Sequence, residues 1–109
     1  MREIPVANLF DDLPDGAAAE LFTEILNRPG LRIERIVSTG QTTPEDQPYD
    51  QDHDEWVLVL KGAARLWLDG RGETDLGPGD HLFIPARCRH RVVWTATSEP
   101  TVWLAVHYG

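Results

Sequence analysis

The apolar positions change their spacing at Gly30. Over residues 15–28, Leu21 with Ile25 and Phe22 with Leu26 stand four apart, the interval that aligns side chains on one face of a helix. Asp15 is placed to cap the first turn, and Pro29-Gly30 to end the last. This spacing predicts a helix over 15–28 whose stripe covers a core. Residues 1–13 alternate weakly and read as an extended arm or short edge strand.

Beyond Gly30 the runs are short and β-like. Leu31 to Ser38 is rich in β-branched residues, and residues 39–54 are polar and acidic, with Gly40, Pro44 and Pro48. Trp56–Leu60, Ala63–Leu68, His81–Ile84, Arg91–Ala96 and Thr101–His107 follow as strands separated by turn signals. Asp69-Gly70 suits a tight hairpin, because glycine accepts positive φ without steric cost. Many short strands in one small chain predict an all-β barrel or sandwich.

Composition narrows the classes. A chain of 109 residues suits one domain, here 1–109, with an arm and helix over 1–30 and a barrel over 31–109. The net charge of −8 repels nucleic acid and anionic membrane surfaces, so neither is an expected partner. The longest apolar run, Trp56–Leu60, is too short to cross a bilayer. The opening Met1-Arg2-Glu3-Ile4-Pro5 lacks the apolar core of a signal peptide, so a cytoplasmic location is expected. One cysteine, Cys88, leaves no internal disulfide and no thiolate-rich zinc site.

Two segments resemble the paired motifs of the cupin family. Six residues separate Glu55 from Gly62, as in the first motif, and three separate Gln51 from Glu55. Gln51 and Tyr49 stand where that motif has its two histidines. In the second motif Gly79, Pro85 and His90 are in frame, while Arg87 replaces a glycine and Trp94 an asparagine. The resemblance covers about residues 40–96. It implies a double-stranded β-helix (jelly-roll) barrel, often a homodimer. It also implies one divalent metal ion (Fe, Mn, Ni or Zn) held by Gln51, Glu55 and His90, with Tyr49 and Trp94 shaping the pocket.

Parity supports an interior site. In a barrel alternate strand residues point inward, and Glu55 shares a face with Val57 and Val59. An inward carboxylate requires a cation, an arginine or a proton beside it. Glu55 and His90 are therefore the expected catalytic pair, and Gln51 either completes a ligand set or hydrogen-bonds Glu55. The expected function is a metal-dependent enzyme acting on a small, anionic metabolite, of dioxygenase, isomerase or lyase type. A non-catalytic small-molecule-binding barrel without metal, and an acid–base enzyme without metal, remain open beside it.

Other residues carry less. His53 lies two residues from both Gln51 and Glu55, so an extended chain would place it on their face; an exposed turn histidine is the simpler reading. His107 shares a strand face with Trp103 and Ala105, toward either the pocket or the outside. His81 reads as structural and Cys88 as an idle thiol. Arg87, Arg89 and Arg91 surround His90, either balancing the acidic loop or forming a guanidinium rim that holds a carboxylate or phosphate.

Overall fold

A computed structural model describes residues 3–109. Eight strands make up the fold: β1 (Leu21–Arg28), β2 (Leu31–Ser38), β3 (Asp54–Lys61), β4 (Ala64–Leu68), β5 (Gly72–Leu76), β6 (His81–Ile84), β7 (His90–Thr95) and β8 (Thr101–Tyr108). They form two antiparallel sheets, one ordered β1-β2-β8-β3-β6 and the other β5-β4-β7. The all-β double-stranded β-helix expected from the sequence is present. No helix among the described residues is long and apolar enough to cross a membrane.

The expected helix over 15–28 is a strand instead. β1 pairs along β2 from Leu21↔Val37 to Arg28↔Leu31. Pro29-Gly30 is the hairpin turn between them, with Gly30 at φ 74°, the conformation that a Pro-Gly turn needs at its second position. A bulge between Glu24 and Leu26 inserts Ile25 and breaks the alternation. The insertion spaces the apolar residues by four and so imitates a helix. Residues 3–20 form turns and irregular chain rather than an edge strand. Buried Arg35 holds this arm, its Nη1 donating to the carbonyls of Leu9 (3.2 Å) and Asp11 (2.5 Å).

Alternation builds the core between the sheets. Val57, Val59, Trp103 and Ala105 from the larger sheet meet Ala64, Leu66, Leu68 and Leu76 from the smaller. Gly62 turns the chain from one sheet to the other at φ 89°, and a Cβ there would fall 2.6 Å from Thr101 Cα. β5, whose Glu73, Thr74 and Asp75 show no apolar alternation, forms by pairing with β4 across the Asp69-Gly70 hairpin. The polar segment before β3 is not simply a solvated loop. Thr43 N donates to Val92 O (2.8 Å), and Tyr49 exchanges two backbone hydrogen bonds with His90 (2.7 and 3.1 Å). This segment thereby covers the free edge of β7.

Candidate functional site

A half-open cavity of about 330 Å³ lies between the two sheets, lined by strands from both. Its walls are largely apolar, from Val57, Leu66, Ile84, Val92 and Trp103. Polar groups gather at one end: Glu34 from β2, Gln51 and Tyr49 from the edge segment, Glu55 from β3, His90 from β7 and His107 from β8. A mainly apolar cavity with a few convergent polar groups is the usual form of a small-molecule site.

Glu55 is at the centre. It is buried, at 6% exposure, as inward parity with Val57 and Val59 requires. Gln51 Nε2 donates to its Oε1 at 3.1 Å, His90 Nε2 stands 3.6 Å from Oε1, and His107 Nε2 stands 3.8 Å from Oε2. His90 Nδ1 donates to the Cys88 carbonyl at 2.9 Å. His90 Nε2 faces Oε1 just beyond hydrogen-bond reach, and the carboxylate beside it favours the protonated ring. Burial pushes the Glu55 carboxyl up, but His90, His107 and Gln51 together hold it below the ordinary 4.5. Burial pushes His90 down, but Glu55 and the Cys88 carbonyl hold it above the ordinary 6.5. Tyr49 lies stacked on His90 with ring centroids 5.4 Å apart. Burial and the carboxylates of Glu20, Glu55 and Glu34 raise its phenol, which stays protonated.

The donor set expected for a metal is only partly assembled. Glu55 and His90 converge, but Gln51 presents its NH₂ to Glu55, and its buried Oε1 has no hydrogen-bond partner. The amide turns its nitrogen, which is no ligand, toward Glu55, so its oxygen is not the atom that meets the carboxylate, and a protonated His90 has no lone pair to give. Among the described residues, no group of three or more His, Cys, Asp or Glu is placed to hold an ion. The side chains as arranged do not fit a resident metal.

Two expected pocket residues lie elsewhere. Trp94 shares sequence parity with His90 and Val92, yet a β7 bulge against Arg65/Leu66 turns it outward, where it is 43% exposed. Arg87 sits in the turn before β7, paired with Asp50 at 3.2 Å. Its φ of 66° is the left-handed conformation for which the corresponding glycine of the motif is suited. Arg89 and Arg91 flank inward His90 and face out, and Arg91 lies over the Trp67 ring. The three arginines do not line the cavity; the arginine that does is Arg32.

The remaining histidines separate clearly. His81 accepts from Trp56 Nε1 (3.2 Å) away from the cavity. His107 faces inward, its Nε2 bonded to Glu34 Oε1 (2.9 Å), and His53 Nε2 meets its Nδ1 at 2.9 Å. Sequence reasoning passed over Glu34. The available signal was a glutamate two residues from Ile36 on one strand face.

Comparisons with known proteins agree with this architecture. A protein from Ralstonia eutropha JMP134, described as a candidate mannose-6-phosphate isomerase, is 50% identical, covering 96% of this chain and 98% of its own, with a TM-score of 0.93. A cupin superfamily protein from Desulfitobacterium hafniense shares the fold at 18% identity and a TM-score of 0.77, covering 99% of this chain and 93% of its own. An uncharacterized protein from Aquifex aeolicus is 39% identical over 64 residues, 59% of this chain and only half of that protein's length. The family model for the cupin domain matches residues 35–107, and the chain belongs to the cupin family.

Proposed function

We propose that this cupin binds a small metabolite in the barrel and moves a proton on it with Glu55 and His90. The observation behind this reading is the buried pair itself, a carboxyl held toward its ionised form and an imidazole held toward its protonated form, 3.6 Å apart in a mainly apolar cavity. Such a pair is a base and an acid held ready side by side. Glu55 would take a proton from a carbon next to a carbonyl while His90 gives its Nε2 proton to the carbonyl oxygen. On an α-hydroxy carbonyl the product is an enediol; Glu55 then returns its proton to the former carbonyl carbon as His90 takes one from the other hydroxyl, which completes an isomerisation. The apolar walls around the pair lower the local polarity and strengthen its electrostatics.

The relative from Ralstonia eutropha, described as a candidate isomerase, fits this reaction class. A sugar phosphate fits the cavity less well. Glu20, Glu34 and Glu55 line it against one arginine, Arg32. Cupins commonly bind a metal. Here the orientation of Gln51 and the proton on His90 favour the acid–base reading.

Deuterium exchange tests it. The purified protein is incubated in D₂O with a panel of hydroxy-aldehydes and hydroxy-ketones, mannose 6-phosphate included, and C–H loss is followed by NMR. Exchange into at least one compound is expected, absent in Glu55→Gln and His90→Gln. Elemental analysis of the same sample is expected to find no stoichiometric ion. One ion per chain, lost in Glu55→Ala and His90→Ala, would replace this reading with a metal-dependent one, and no exchange into any compound would overturn it.

A further inference from the structure

His107 borders two spaces. One face lines the barrel cavity; the other meets a polar cleft of about 220 Å³ on the outside, bordered by Asn27, Arg28, Asp52, His53 and Tyr108. The two imidazoles connect these spaces. His53 is 24% exposed in its side chain, and its Nδ1 lies 3.3 Å from Oδ1 of the solvent-facing Asp52. His53 Nε2 and His107 Nδ1 are 2.9 Å apart, and His107 Nε2 is 2.9 Å from Glu34 Oε1. The same nitrogen is 3.8 Å from Glu55 Oε2, while Arg32 Nη2 stands 4.0 Å from Glu34 Oε1.

The partners settle where the protons lie. Glu34 only accepts, so His107 Nε2 carries a proton. With one proton on that ring, Nδ1 is bare and accepts from His53 Nε2–H. The Nδ1 of His53 is then the open site, at the solvent end, and the exposed Asp52 carboxylate 3.3 Å away favours a proton arriving there. Every link is within hydrogen-bond distance except the His53–Asp52 contact at the solvent end, which is slightly long.

From this geometry we infer that His53 and His107 are a proton relay between the outer cleft and the cavity carboxylates. A proton from solvent joins His53 Nδ1, and the Nε2 proton of His53 passes to His107 Nδ1. The Nε2 proton of His107 then passes to Glu34. One proton enters at Nδ1 of His53 and one arrives at Glu34, and no charge remains on either ring. Both rings are left in the opposite tautomer, with the bond between them reversed in direction but intact. A proton leaving the cavity by the same route restores them. The relay thus serves a reaction that gains and loses a proton in turn, by a route separate from the cavity mouth.

This inference rests on the proton-transfer reading of the cavity, but its test needs no metabolite. Exchange of the His107 Nε2 proton with water is measured by ¹⁵N-edited imidazole NMR. His53→Gln leaves an amide that can donate to His107 Nδ1 but cannot pass a proton on. His53→Ala removes the group and leaves a space open to solvent. Exchange is expected to slow about tenfold or more in both, which corresponds to roughly 1.4 kcal/mol in the barrier. Free imidazole in the buffer should restore the rate in His53→Ala and not in His53→Gln. A merely structural role would not respond to imidazole. Wild-type exchange in His53→Gln, or a deficit in His53→Ala that imidazole leaves unrepaired, overturns the relay. Either result leaves the assignment of Glu55 and His90 untouched, since that assignment fails only in the deuterium experiment.

Discussion

Glu55 Oε1 and His90 Nε2 face each other at 3.6 Å although Glu55 belongs to β3 of the larger sheet and His90 to β7 of the smaller. The pair thus ties the two sheets together at the polar end of the cavity. Removing one member leaves the other buried with an uncompensated charge. Glu55→Gln and His90→Gln are each expected to cost on the order of 3 kcal/mol in urea unfolding. The double variant should cost clearly less than the sum, because it leaves no orphaned charge. Additive single effects would show that the pair is not coupled.

The same pair sets a pH window. Glu55 titrates below 4.5 in the folded chain, so its contribution is present above that value and is lost as pH falls through the folded pKa. His90 titrates above 6.5, so its contribution is complete below 6.5 and is lost as pH rises through the folded pKa. Stability from the pair is therefore greatest between 4.5 and 6.5 and declines on both sides. Calorimetric melting across pH 4 to 9, an illustrative range of about five units, should show wild type losing more of its Tm above neutrality than His90→Gln. Parallel curves would argue against a protonated His90.

Arg87 gives a prediction of opposite sign. Its φ of 66° carries the steric cost of a side chain in left-handed backbone, and its partner Asp50 is a surface carboxylate. Exposed ion pairs contribute little. Arg87→Gly is expected to stabilise the fold by about 1 kcal/mol, since glycine adopts this conformation freely. A loss of stability would mean that the Asp50 contact outweighs the backbone cost.

Arg35 should act as a clamp on the N-terminal arm. It is buried, and its Nη1 donates to two carbonyls of that arm, those of Leu9 and Asp11. Arg35→Ala removes both bonds at once, a loss of about 2 kcal/mol for a charged donor. Limited proteolysis should then cleave within residues 3–20 much faster than in wild type, with the barrel left intact. Unchanged cleavage would assign the arm's attachment to other contacts.

Much of the fold was legible in the chain. β2 and β6 match the expected runs residue for residue, and β3, β4, β7 and β8 differ only at their ends. Two bulges account for the largest departures. An extra residue in a strand moves everything beyond it to the opposite face, and nothing in the apolar pattern marks where it occurs. The bulge at Ile25 made β1 look helical, and the bulge in β7 turned Trp94 out of the pocket. β5 escaped notice because a polar edge strand owes its existence to its partner β4.

The order of residues alone was enough to turn Glu55 inward with Val57 and Val59, to bring His90 in on the second motif, and to place Asp69-Gly70 at a hairpin. Each depends on strand parity, motif spacing or backbone sterics, which are local properties. The packed barrel was needed to set which way the Gln51 amide turns and which arginines miss the cavity, and to join His53, His107 and Glu34 in one chain of hydrogen bonds. Those three residues lie on the segment before β3, on β8 and on β2, separated by 54 and 73 positions along the chain at the two contacts. Their meeting depends on β8 pairing with both β2 and β3, and pairing between distant strands is set by the packing of the whole barrel rather than by any local run of residues.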